Sequence, residues 1–180
     1  MENGIKKILR DKYGLFEKDI EILLEKFTKF SVPKREIILQ EGQTDHYIYF
    51  VEKGIVKSTI LREGREFIIF FALENDVPLS SPNLTESRQS LYTLEAVDTC
   101  ILWRISRKDL ATSFKDSLNL SNWGRMILQE WLTSSSFYFS SIHWMSKKEQ
   151  YQYLLKEMPK LIQRLSMRDL SAWLDICLLY

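Results

Sequence analysis

The apolar positions of this chain change period twice, and each change predicts a change of element. Between Ile5 and Phe30 they recur at helical spacing. Ile5, Ile8 and Leu9 fall on one side, Tyr13-Gly14 breaks the pattern, and Ile20, Leu23, Leu24 and Phe27 resume it with lysines and glutamates opposite. Pro33 ends this stretch, because it has no N–H to donate and biases Val32 towards extended backbone. From Ile37 onward the runs are short, β-branched and aromatic. Ile37-Ile38-Leu39 and Tyr47 to Val51 predict two antiparallel strands joined by a polar turn, with Gly42 and Gly54 where positive φ is favoured. Lys57 to Leu61 and Glu66 to Leu73 flank Arg62-Glu63-Gly64-Arg65, a hairpin turn by composition, and the second run, EFIIFFAL, predicts a buried strand. Val77 to Leu91 has two prolines, no glycine and little periodicity, as a surface loop would. Tyr92 to Ile105 gives two further strands interrupted at Asp98-Thr99. Short strands at even spacing predict a sandwich or closed roll.

After Ser106 the helical period returns. Ser106 and Asp109 have N-cap spacing and open a short helix that packs Leu110 and Phe114 onto the roll. Leu118 to Trp144 predicts a long helix, with Leu120, Trp123, Ile127, Trp131, Phe137 (or Tyr138) and Ile142 along one side. It is apolar and aromatic on more than one face, so part of it needs cover beyond its own domain. Ser134-Ser135-Ser136 interrupts the stripe and leaves open whether the helix bends there. Beyond it, Ser146 to Glu149 has capping-box spacing, Met158-Pro159 breaks the helix, and Ser166 to Asp169 caps another that carries Leu170, Trp173 and Leu174.

Composition narrows the function classes. The 180 residues carry a net charge of +1, so no global basic field advertises nucleic acid, and any such contact comes from a local patch. Cys100 and Cys177 are far apart with no CxxC spacing, which argues against a disulfide framework or zinc site and for a reducing cytoplasm. The amino-terminal MENGIKKILRDKYG lacks an apolar core, and no run approaches the roughly 18 apolar residues of a membrane span. His46 and His143 cannot supply the histidine set of a metal enzyme, and there is no GxSxG, P-loop or GxGxxG. The expectation is a non-enzyme with no catalytic residue, no metal and no cofactor.

The run ILQEG…YIYFVEKGIVK resembles the first corners of the β-roll in the cyclic-nucleotide-binding-domain superfamily, specifically the CRP/FNR family of bacterial transcription regulators. The resemblance implies an α+β fold: N-terminal helices, a double-stranded β-helix (a jelly-roll-like β-roll), a long dimerisation helix and a small helical C-terminal helix-turn-helix module. It implies an effector domain over 1–117, the dimerisation helix over 118–144 and a partial winged helix-turn-helix over 145–180. The family's phosphate-binding Gly-Glu and Arg-Ser or Arg-Thr pairs fall at Leu79-Ser80 and Ser90-Leu91, where neither is preserved, with Arg88 two positions off. Leu79, Ser80, Arg88, Ser90 and Leu91 are thus the candidate effector pocket, and cAMP binding of the usual kind is not expected. Phe50, Phe70, Phe71 and Tyr92 are expected to line the roll interior, as core in the first place and around a small ligand in the alternative.

By the same resemblance Leu120, Trp123, Ile127, Trp131 and Phe137 form the homodimer contact. YQYLLKEMPKLIQRLSMRDLSAWLDI resembles the start of the winged helix-turn-helix, in particular of Bacteroides-type members, with Leu170, Leu174 and Ile176 at its apolar core positions. Asp175 stands in place of the turn glycine, and only Cys177 to Tyr180 remain of the recognition helix. Lys147, Lys148, Lys160, Arg164 and Arg168 are the candidate DNA-phosphate contacts. The expected function is a cytoplasmic CRP/FNR-like regulator that binds DNA as a homodimer and takes an unknown small-molecule effector, with no membrane partner. The alternative is a ligand-binding or protein-interaction module of the same fold that has lost DNA binding.

Overall fold

The computed structural model describes residues 4–78, 80–81 and 83–176. Two short helices, α1 (Gly4–Asp11) and α2 (Glu17–Leu24), precede nine strands. These are β1 (Thr28–Val32), β2 (Ile37–Leu39), β3 (Thr44–Asp45), β4 (Tyr47–Lys53), β5 (Val56–Arg62), β6 (Arg65–Ala72), β7 (Arg88–Gln89), β8 (Thr93–Ala96) and β9 (Cys100–Ser106). They form a three-stranded sheet in the order β1-β9-β4, a four-stranded sheet in the order β2-β8-β5-β6, and the small pair β3-β7. Helices α3 (Arg107–Asp116) and α4 (Leu118–Ser140) follow, then a 3-10 turn at Ile142–Trp144, and a helical head of α5 (Lys147–Glu157), α6 (Pro159–Ile162) and α7 (Met167–Leu174).

Two sequence expectations are corrected here. The helical stretch does not reach Phe30: Thr28–Val32 is an edge strand, because Phe30 pairs with Leu102 and the rest of β1 follows in antiparallel register on β9. Ile37–Leu39 and Tyr47–Val51 do not pair with each other either. The corner at Gly42 (φ +83) sends the chain from one sheet to the other, so β2 pairs with β8 and β4 with β9.

The alternation of side chains along the strands sorts them into three apolar layers. Between the sheets lie Val32, Tyr49, Val51, Val56, Leu94, Ala96 and Leu102. On the outer face of the three-stranded sheet, Ile48, Phe50, Trp103 and Ile105 meet α1, α2 and α4. On the outer face of the four-stranded sheet, Ile55, Ile68, Phe71 and Val97 meet Leu161 and Trp173 of the head. Phe50 and Phe71 are therefore not interior residues as expected: one stacks on Trp123 with centroids 5.6 Å apart, the other faces the head. Phe70 does pack on the interior layer, and Tyr92 is half-buried. Nor is EFIIFFAL wholly buried. Ser58 pairs with Phe70 and Thr59 with Ile68, so Ile69 is a bulge residue, 41% exposed. The extra residue puts Ile68 and Phe71 on the same outer face.

Helix α4 runs unbroken through Ser134–Ser136 and lies along the roll. Its Leu120, Trp123, Ile127 and Trp131 are buried in the layer shared with α1 and α2, and the Trp131 indole donates to the Val77 carbonyl at 3.1 Å. Four of the five expected dimer residues are thus spent on the chain's own roll. Phe137 alone among them is exposed, at 47%.

Gly54 turns the chain from β4 into β5 with φ +99, and a Cβ there would sit 2.6 Å from the Cys100 sulfur and 2.9 Å from the Cys100 Cα. Gly54→Ala is expected to lower the unfolding free energy in urea by about 3 kcal/mol, from strain and overpacking together. Gly64→Ala, with φ +76 in open space, is expected to cost roughly 1 kcal/mol. Equal losses at the two positions would show that the Gly54 corner is not close-packed.

Candidate functional site

The loop from Leu73 to Leu91 folds over one end of the roll. Asp45, in β3, and Arg107, at the first position of α3, meet beneath it with side chains 0% and 1% exposed. Arg107 is placed there because Ser106 caps α3, accepting from the Asp109 N–H at 3.0 Å, and because the Arg107 N–H donates to the His46 carbonyl at 2.9 Å. The guanidinium donates through Nε to the Asp45 carbonyl at 3.1 Å, through Nη2 to the Asp45 carboxylate and to Ser80 Oγ, and through Nη1 to the Asn83 carbonyl. Ser80 in turn donates to Asp45 Oδ2 at 2.5 Å. All three nitrogens of this buried guanidinium are thereby engaged by the chain itself.

The expected effector residues do not converge on an open anion site. Ser80 belongs to the Asp45–Arg107 network. Ser90 is buried and donates to the Ser80 and Tyr92 carbonyls, at 3.2 and 2.6 Å. Arg88 lies on the exposed strand β7 and is paired with Glu86 at 2.7 Å. Leu91 is 51% exposed, and Leu79 lies outside the described residues. Neither Asp45 nor Arg107 stood out in the sequence, since no local pattern joins residues 62 positions apart.

A second set of charges ties the helical head to the roll. Lys57, in β5 with a side chain 3% exposed, contacts Glu66 and Asp169 at 2.9 Å each and Glu95 at 3.4 Å. Burial alone would lower the pKa of this ammonium. Its hydrogen bonds to Glu66 and Asp169, with their charges, outweigh that and hold it above the usual 10.5. Arg164 grips Asp98 at 2.5 Å and Glu74 at 2.9 Å, and Arg65 pairs with Asp175 at 2.8 Å. The acceptors are themselves fixed at the Gly54 corner, where the Ile55 N–H donates to Asp98 and the Gly54 N–H to Glu74. The one sequence signal was Lys57 itself, a lysine inside the apolar run GIVKSTI.

Of the candidate DNA contacts, Lys147, Lys148 and Lys160 are exposed on the head. Arg164 is engaged with the roll, and Arg168 is exposed within 3.8 Å of Glu66. Leu174 is buried, Leu170 half-buried and Ile176 40% exposed. Asp175 takes the left-handed conformation that ends α7, φ 51 and ψ 52.

Residues 29–117 match the family model of the cyclic nucleotide-binding domain. The matched segment runs from β1 through α3. No curated protein matches the sequence. Among solved structures, FixK2 from Bradyrhizobium japonicum superposes with a TM-score of 0.73 at 22% identity, over 83% of this chain and 78% of FixK2. The c-di-GMP-responsive global regulator CLP of Xanthomonas campestris gives 0.72 at 16% identity, over 90% of this chain and 86% of CLP. The sensor domain of the transcriptional regulator DNR from Pseudomonas aeruginosa gives 0.57 at 19% identity, over 73% of this chain and 96% of that domain. These likenesses establish the fold. Within the matched segment, Asp45 sets a carboxylate against Arg107 beneath the Leu73–Leu91 loop.

Arg107→Met is expected to cost about 3–5 kcal/mol in urea unfolding, because it strands the buried Asp45 carboxylate; adding Asp45→Asn is expected to restore part of the loss. A double variant no more stable than Arg107→Met would refute the pairing.

Head docking is expected to be acid-sensitive. Burial raises the Asp169 pKa, but the Ser166 hydrogen bond and Lys57 bring it below the usual 3.8; for Glu74, burial is outweighed by backbone hydrogen bonds and Arg164, so it lies below 4.5. A lowered folded-state pKa gives stability that is present above the unfolded value and lost as pH falls through the folded one. Protection factors of α7 amides, referred to the intrinsic rate at each pH, should therefore fall below about pH 4 while those of β9 amides are kept. Unchanged α7 protection at pH 3 would contradict the latch.

Proposed function

We propose that this chain is a CRP/FNR-like transcription regulator that binds DNA as a homodimer and does not respond to cAMP in the usual way. The observation that carries the reading is the order of parts: a roll, a 23-residue helix laid along it, and a helical head whose last helix ends at a left-handed residue. FixK2 and CLP follow the same course over most of this chain.

The surface of α4 left free by the roll supports the homodimer. Leu118, Leu132 and Phe139 share one heptad position and are 81%, 69% and 63% exposed, with Leu128 beside them at 38%. This outward stripe, and not the inward Leu120–Trp131 stripe, is the proposed contact. The lack of a cAMP response rests on the phosphate-binding pairs that are not preserved at Leu79-Ser80 and Ser90-Leu91, and Asp45 adds to it. A cyclic phosphate would meet a carboxylate already paired with the nearby arginine, and displacing that carboxylate leaves a buried charge uncompensated. A second reading, a binding module that has lost DNA contact, is favoured by one observation. Arg164, a candidate phosphate contact, is bound to Asp98 and Glu74.

Fluorescence anisotropy of the full chain on random duplex at low salt is expected to show binding that weakens with a negative log–log salt slope. No binding, or binding without salt dependence, would favour the second reading. Sedimentation is expected to give a dimer that Leu132→Asp converts to a monomer. Calorimetry is expected to show no cAMP binding in the micromolar range.

A further inference from the structure

Where the head meets the roll, the chain leaves a cleft of about 340 Å³. Its floor is the outer face of β6 around Ile68 and the bulge residue Ile69, which the extra residue tips into the seam. One wall is the last third of α4 with Phe137 and Tyr138; the other is the head, with Tyr153 and Trp173. The rings stand in cross-seam pairs. Phe137 and Tyr153 lie 6.1 Å apart, and Tyr138 and Trp173 lie 6.4 Å apart near perpendicular. Among the described residues no Asp, Glu, Lys, Arg or His lines the cleft; its polar side-chain groups are the hydroxyls of Ser134, Ser135, Tyr138 and Tyr153 and the Trp173 indole N–H.

We propose that this seam is a binding site for a small, neutral, mainly aromatic molecule, and that its occupant holds the head against the roll. The volume lies at the lower end of the range that encloses small organic ligands, enough for about two rings. A partner helix is about 10–12 Å across, so a single turn of it would already overfill the space. A nucleotide or other anion finds no cation there, and burying its charge against rings alone would be costly. A flat, uncharged ligand meets the rings edge-on or offset and can bond one or two hydroxyls. The space beneath the Leu73–Leu91 loop, by contrast, is filled by Asp45 and Arg107, so this site is separate from the one the family resemblance would suggest.

Because the floor belongs to the roll and a wall belongs to the head, the complete site exists only while the head is docked. The ligand therefore stabilises the docked arrangement by the difference in its affinity for the two. The ion pairs of Lys57 and Arg164 with Asp169, Asp98 and Glu74 maintain the same arrangement, so ligand binding and latch are coupled without any contact between them.

The test uses the full chain with 2-naphthol as probe and 2-naphthyl phosphate as its charged counterpart. Saturable 2-naphthol binding in roughly the 0.1 mM range is expected by calorimetry, with chemical-shift changes at the Trp173 indole. The phosphate is expected to bind at least tenfold more weakly. Ser135→Trp, an exposed helix position whose side chain would fill the cleft, is expected to weaken 2-naphthol at least tenfold with the thermal midpoint retained. Phe137→Ala offers a second disruption should that variant misfold. Arg164→Gln, which loosens the head without touching the cleft, is expected to weaken binding severalfold, and 2-naphthol is expected to slow exchange of α7 amides. No saturable binding, equal affinity in Ser135→Trp and Phe137→Ala, or shifts confined to the roll interior would overturn the site. Unaltered binding in Arg164→Gln would overturn the coupling. None of these readouts involves DNA; because Ser135 lies beside Leu132 and Phe139 lines the cleft, sedimentation of each variant separates loss of the ligand site from loss of the proposed dimer.

Discussion

Both sheets of the roll are apolar on both faces, and neither outer face can stand in water. The interior layer of Val51, Val56, Leu94 and Leu102 closes the roll, but Phe50, Trp103 and Ile105 on one outside and Ile55, Ile68 and Phe71 on the other still need cover. At roughly 25 cal/mol per Å² of apolar area, leaving either outer layer wet would cost several kcal/mol, a large share of an ordinary domain's stability. Helices α1, α2 and α4 cover the first face and the head covers the second. The long helix and the head are thus structural lids on the roll before they are anything else.

The buried charges refine this arrangement more than they drive it. An ion pair withdrawn from water gains little net energy, yet its loss on one side is severe, so it enforces one geometry. Arg107 and Asp45 set the loop above the roll; Lys57 and Arg164 set the register of the head on β5, β6 and the Gly54 corner. The first pair leaves no cation open beneath the loop at Arg107. The second set withdraws Arg164 from the candidate phosphate contacts. Each network couples a functional surface to the fold, so a surface that looks available in a list of charges is partly committed.

The head covers its face imperfectly, and that gap matters. The bulge residue Ile69 lines the cleft between β6, the end of α4 and the head, and the rings of Phe137, Tyr138, Tyr153 and Trp173 border it without filling it. Here packing leaves a small apolar space between two bodies, whereas the roll interior is closed by its own side chains.

Local chemistry was legible from the chain alone. The strand runs, the Gly54 and Gly64 turns, the caps at Ser106, Ser146 and Ser166 and the break at Pro159 depend on neighbours within a few residues, and the backbone follows them. Pairing was not legible. Whether β2 lies on β4 or β8, whether Phe50 faces in or out, and which side of α4 meets the roll depend on which distant face is apolar too. The same holds for the sites. Lys57 carries a local signal as a lysine inside an apolar run, but its partners Glu66, Glu95 and Asp169 are brought together only by the fold, as are Asp45 and Arg107. Sequence determined which elements form and where they stop, because those choices are settled by local backbone energetics. Tertiary structure alone decided which charges are spent and which surfaces stay open, because burial is a property of what the chain packs against.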